Sequence, residues 1–61
     1  MPIVQIELLE GRTIEQKRAL VAKVTEAVTS SLGVSPDAVR IILRDMAREN
    51  FAHAGKLYAD K

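Results

Sequence analysis

Pro2, Arg12 and Arg40 are the residues whose types allow chemistry in this chain. Pro2 follows Met1, and if that methionine is removed the proline nitrogen becomes a secondary amine instead of an amide. An ordinary α-amino group titrates at about 7.7–8.0. Burial and nearby cations both lower an amine's pKa, and a base poised near neutral pH suits proton transfer. The plainer alternative is a proline that opens an edge strand, where a missing N–H does no harm. Arginine pairs with carboxylates through two parallel hydrogen bonds. For Arg12, which follows Gly11, the plain reading is a solvated turn residue. For Arg40 it is an edge-strand charge that discourages aggregation.

Other chemistries find less support. There is no cysteine, which excludes disulfides and thiolate metal sites. The single histidine, His53, cannot build a metal site alone, and no Asp/Glu/His spacing helps it; it reads as an exposed loop residue.

The elements that must position these residues follow from periodicity. Ile3 to Leu9 alternates, with Val4, Ile6 and Leu8 on an apolar face and Ile3, Gln5, Glu7 and Leu9 on a mixed one. Glu10-Gly11 ends this strand. Thr13-Ile14-Glu15-Gln16 has the form of a capping box, opening a helix from about Ile14 to Leu32. Its stripe of Leu20, Val24, Ala27, Val28, Ser31 and Leu32, flanked by Val21, makes one face, and Gly33 stands where a C-terminal cap belongs. Ser35-Pro36-Asp37 is a turn or a single helical turn, and Val39 to Met46 a second strand. The helical crossover makes the strands parallel and is itself expected to be right-handed. Ala47 to Lys61 reads as a short hairpin or loop docking on a neighbour.

The expected fold class is α/β: a single βαβ unit with parallel strands plus a short C-terminal hairpin, one domain over residues 1–61. Its sheet is expected to be completed by oligomerisation, because two strands and one helix leave sheet edges unpaired and one sheet face uncovered. Size agrees. A 61-residue chain is marginal alone, yet 48% of its residues are hydrophobic, with one Phe, one Tyr and no Trp. The net charge of +1 comes from interspersed charges, with no basic stripe for nucleic acid. No apolar run approaches a membrane span, and the N-terminus lacks the pattern of a signal peptide. A soluble, cytoplasmic protein is the expectation.

These residues together resemble the 4-oxalocrotonate tautomerase family of the tautomerase superfamily. The resemblance rests on Met-Pro at the start, on L-L-E-G-R-T-x-E-Q-K-R over Leu8 to Arg18, and on Val39-Arg40 opening the second strand. Phe51 at its spacing from Met46-Ala47, with Gly55 soon after, extends it over essentially the whole chain.

The resemblance implies a cofactor-free and metal-free tautomerase, a homohexamer built as a trimer of dimers. It would move a proton within unsaturated oxoacids and dienols such as 2-hydroxymuconate, an intermediate of aromatic-compound breakdown. It also implies roles: Pro2 as base after loss of Met1, Arg12 on the distal carboxylate, and Arg40 from a neighbouring subunit on the 1-carboxylate and 2-oxygen. The Leu9 backbone N–H would contact substrate, and Phe51 would form an apolar wall. Arg44 matches no functional position and reads as a structural or surface residue. Ala52 and Ala54 depart from a glycine-richer tail, and Glu7 stands where a histidine is frequent. Two alternatives stay open: another Pro2-dependent reaction such as dehalogenation or hydration, and a non-catalytic oligomeric module that binds anions.

Overall fold

A computed structural model of the chain describes residues 1–60. Two strands, β1 (Ile3–Leu9) and β2 (Arg40–Met46), flank a 19-residue helix, α1 (Ile14–Leu32). The strands pair in parallel from Ile3 opposite Arg40 to Leu9 opposite Met46. A two-stranded antiparallel hairpin, β3 (Ala52–His53) with β4 (Lys56–Leu57), follows β2. The expected βαβ unit with a C-terminal hairpin is the observed architecture. Lys61, the last residue of the tail, lies outside the described residues.

Local chemistry sets the helix boundaries. The Gln16 N–H donates to Thr13 Oγ1 at 3.1 Å and the Thr13 N–H donates to Gln16 Oε1 at 3.0 Å, so both halves of the capping box form. Gly33 ends the helix at φ 69°, a left-handed position that glycine adopts without a Cβ clash, with its N–H donating to the Thr29 carbonyl.

Side-chain parity decides which sheet face the helix covers. Val4, Ile6 and Leu8 on β1 and Ile41 and Leu43 on β2 are half-buried. Lys17 on α1 reaches Asp45, of the same parity as Leu43, with Nζ 2.6 Å from Oδ2. The covered side of α1 is Lys17, Leu20, Val21, Val24, Thr25, Val28 and Thr29, all half-buried. This shifts the stripe expected from sequence, since Ala27, Ser31 and Leu32 are exposed. At about 100° per residue, Leu20, Val24 and Ala27 share a face whose centre is rotated from the one through Val21, Val24 and Val28. The sheet selects the latter. A helix of 19 residues is also longer than a strand of seven, about 28 Å against about 23 Å, so its last turn has no strand beneath it. Val39 differs too. It caps the C-terminal end of the 3₁₀ turn Pro36–Ala38 that precedes β2, donating its N–H to the Pro36 carbonyl, and the strand begins at Arg40.

The other sheet face is open. Ile3 is 47% exposed and Ile42 39%. Arg44 lies across this face with Nη1 3.2 Å from both Gln5 Oε1 and Glu7 Oε1, the structural role expected of it. None of the described residues is fully buried. The radius of gyration is 14.6 Å, against about 10–11 Å for a compact domain of this length. A single copy is a thin slab of 43 × 23 × 13 Å without a closed core.

Candidate active site

Pro2 and Arg40 sit side by side at the N-terminal end of the parallel pair. The Arg40 N–H donates to the Pro2 carbonyl at 3.0 Å, fixing where β1 begins relative to β2. Pro2 is half-buried, while Met1 before it is 74% exposed. The turn Pro36–Ala38, capped by Ser35 through the Asp37 N–H, delivers the chain into Arg40. Arg40 Nη1 donates to the Asp37 carbonyl at 2.7 Å, which uses one of the five guanidinium donors and leaves the others free to grip an anion.

Leu9, Arg12 and Phe51 gather at the opposite end. Hydrogen bonds from Arg40 N–H to Pro2 carbonyl and from Glu10 N–H to Met46 carbonyl bracket the ladder. Even-numbered residues of β1 therefore face β2, and the Leu9 N–H points to the free edge of β1. Gly11, at φ 115°, makes the turn that carries Arg12 away from the strand. Arg12 borders a groove of about 300 Å³ with Leu8, Gln16, Lys17 and Leu20, between the strand end and the first turns of α1. Glu10 Oε2 accepts the Arg48 N–H at 2.9 Å, which fastens the 3₁₀ turn Arg48–Asn50, and Phe51 after it, to the end of β1.

The electrostatics separate the arginines. Arg44 is paired with Glu7, and Arg18 with Glu15. Arg12, Arg40 and Arg48 have no carboxylate partner among the described residues. A cation without an internal partner can take a ligand carboxylate without first breaking an ion pair. Among the described residues no cluster of three or more His, Cys, Asp or Glu side chains could hold a metal ion, and no helix is long and apolar enough to cross a membrane. His53 is exposed on β3 opposite Lys56 and has no part in either cluster.

The structure thus brings Pro2 to Arg40, and Leu9 to Arg12 and Phe51, but it does not unite the two groups. They are separated by the length of β1, more than about 20 Å.

Comparison with known proteins gives this arrangement a family. The family described as tautomerase enzyme matches residues 2–61. A 2-hydroxymuconate tautomerase of Bacillus subtilis is 47% identical over 60 residues, covering 98% of this chain and 97% of that protein. A solved 4-oxalocrotonate tautomerase isozyme from Methylibium petroleiphilum is 52% identical, with a TM-score of 0.93 over 97% of this chain and 92% of its own. The chain belongs to the tautomerase family. It is an isomerase of the 4-oxalocrotonate tautomerase group. A heterohexamer 4-oxalocrotonate tautomerase from Chloroflexus aurantiacus has the same fold at 28% identity, with a TM-score of 0.92 over 98% of this chain and 97% of its own.

Two residues of this tautomerase's second cluster escaped the sequence reading. In the sequence Glu10 is a strand terminator and one letter of the L-L-E-G-R-T run, and its clamp on Arg48 bridges positions too far apart for any local pattern to show. Tyr58, the single tyrosine, has no role assigned from sequence. Its ring stands edge-on to Phe51 with centroids 4.7 Å apart and an interplanar angle of 70°. A signal did exist: Gly55 between two short runs fits the second position of a two-residue hairpin, and counting outward from it sets Phe51 opposite Tyr58.

Proposed function

We propose that this chain is a cofactor-free keto-enol isomerase acting on 2-hydroxymuconate-like dienols or unsaturated 2-oxoacids, with Pro2 as general base once Met1 has been removed. The amine takes the proton of the substrate's 2-hydroxyl and returns it to a carbon of the conjugated chain. One O–H bond breaks and one C–H bond forms, with no net oxidation. Arg40 holds the 1-carboxylate and 2-oxygen and stabilises the charge that develops as the proton leaves, the kind of fixed charge that contributes most in a dry site. Arg12 holds the distal carboxylate, the Leu9 N–H adds a donor, and Phe51 closes the site to water.

The observation that carries this reading is the division of the candidates between the two ends of β1. A substrate a few carbons long cannot span more than about 20 Å, so Pro2 must work with the Leu9–Arg12–Phe51 end of another copy. The free edge of β1 and the uncovered sheet face offer the surface for that association. A homohexamer, organised as a trimer of dimers with Arg40 supplied by a further subunit, is the assembly proposed.

The test follows the ultraviolet absorbance of 2-hydroxymuconate during ketonisation, with protein whose intact mass shows that Met1 is gone. Turnover by the parent and its loss in Pro2→Ala are expected. A Pro2→Ala variant that keeps the parent rate would remove proline as the base.

A further inference from the structure

We infer that Tyr58 is a positioning residue for Phe51, holding the apolar wall of the site at a fixed angle to the Pro2 amine of the adjoining copy. The inference rests on the reading of Pro2 and Phe51 given above and adds a residue that the mechanism does not otherwise use.

The chain of cause begins in the turn. Ala54 and Gly55 both have positive φ, 54° and 82°, which is the backbone pattern of a type I′ hairpin loop. That turn fixes the register, with His53 opposite Lys56 and Ala52 opposite Leu57. One step further out stand Phe51 and Tyr58, and the Tyr58 N–H donates to the Phe51 carbonyl at 2.8 Å. From Phe51 through Asp60 these two are the only half-buried residues, and every other one is exposed. The contact between their rings is edge to face, an orientation that aromatic quadrupoles favour. Phe51 is thus held on two sides. Glu10 clamps the turn that leads into it, and Tyr58 meets its ring.

A wall fixed in this way keeps water off the amine. Desolvation disfavours a charged amine, so a looser Phe51 leaves more of Pro2 protonated at a given acid pH. The predicted consequence of losing the Tyr58 ring is an acid limb of kcat/KM displaced upward by several tenths of a unit, toward the ordinary α-amino value of about 7.7–8.0. A residue that merely stabilised the tail would lower the amount of active protein equally at all pH values.

The experiment compares the pH profile of kcat/KM in the parent, Tyr58→Phe, Tyr58→Leu and Phe51→Leu, each with Met1 removed and with its assembled mass checked by sedimentation. Tyr58→Phe should superpose on the parent, while Tyr58→Leu and Phe51→Leu should share the upward displacement. An unmoved limb in Tyr58→Leu, with the parent limb present, overturns the role of Tyr58 alone. Absence of an acid limb in the parent overturns the reading of Pro2 as base, and this inference with it. A second readout needs no activity. Phe51 is the only phenylalanine in the chain, so fluorophenylalanine labelling gives one fluorine resonance. That line should shift and broaden in Tyr58→Leu; an unchanged line there means the ring is not held by Tyr58.

Discussion

Arg12 and Arg40 are chemically identical side chains, and the proposed mechanism assigns them different work. In the proposed mechanism Arg40 of a further subunit holds the reacting 2-oxygen, so Arg40→Ala is expected to lower kcat by about 10²-fold or more, the scale of losing a donor to a developing oxyanion. In the same mechanism Arg12 grips a part of the substrate that does not react, so Arg12→Ala should chiefly raise KM. Steady-state kinetics on both variants decides this, and the reverse pattern would exchange the roles. Arg44 is an internal control: paired across the open face with Glu7, it should affect assembly before catalysis. For Pro2 the sign of the pH dependence is fixed by the chemistry. Only the neutral amine accepts a proton, so kcat/KM should fall as pH drops through its pKa; a flat profile down to about pH 5 would contradict an amine base. Pro2, Arg12 and Arg40 stood out in the sequence because their chemistry belongs to the residue type. Glu10 and Tyr58 did not, because the work of each shows only in what the fold sets against it: the Arg48 N–H against Glu10, and the Phe51 ring against Tyr58.

Among the elements, α1 owes its first turn to Thr13. Thr13→Ala removes the hydroxyl that accepts the Gln16 N–H and should destabilise the fold by about 1 kcal/mol in chemical denaturation, with Thr13→Ser nearly neutral. Arg12 immediately precedes this cap, so the same change should also raise KM. The hairpin makes the opposite prediction. Ala54 occupies a left-handed position at φ 54° that an L-residue adopts at a cost of about 1–2 kcal/mol. Ala54→Asn creates the Asn-Gly pair that type I′ turns favour, and should raise the denaturation midpoint. A lower midpoint would mean that the turn is not strained. Both boundaries of α1 were legible because a capping box and a C-terminal glycine are local signals. The rotation of its covered face was not, because the packing partner on the sheet decides between two overlapping apolar stripes.

At the scale of the whole molecule, the decisive facts are a slab with no fully buried residue and candidate residues at both ends of its first strand. Composition and length already pointed to association, but they carry no information about which ends meet. Sedimentation should give a mass several-fold above the 6.7 kDa of one chain at micromolar concentration; a stable monomer would leave the two half-sites permanently apart. The most direct test of a shared site is complementation. Pro2→Ala and Arg12→Ala proteins are each purified, mixed, dissociated, reassembled, and assayed at substrate well below KM. Mixed assemblies contain some sites that take Pro2 from one variant and Arg12 from the other, so activity should rise clearly above the mean of the two parents. Activity equal to that mean would contradict a site built between copies and would place Pro2 and Arg12 in separate functions.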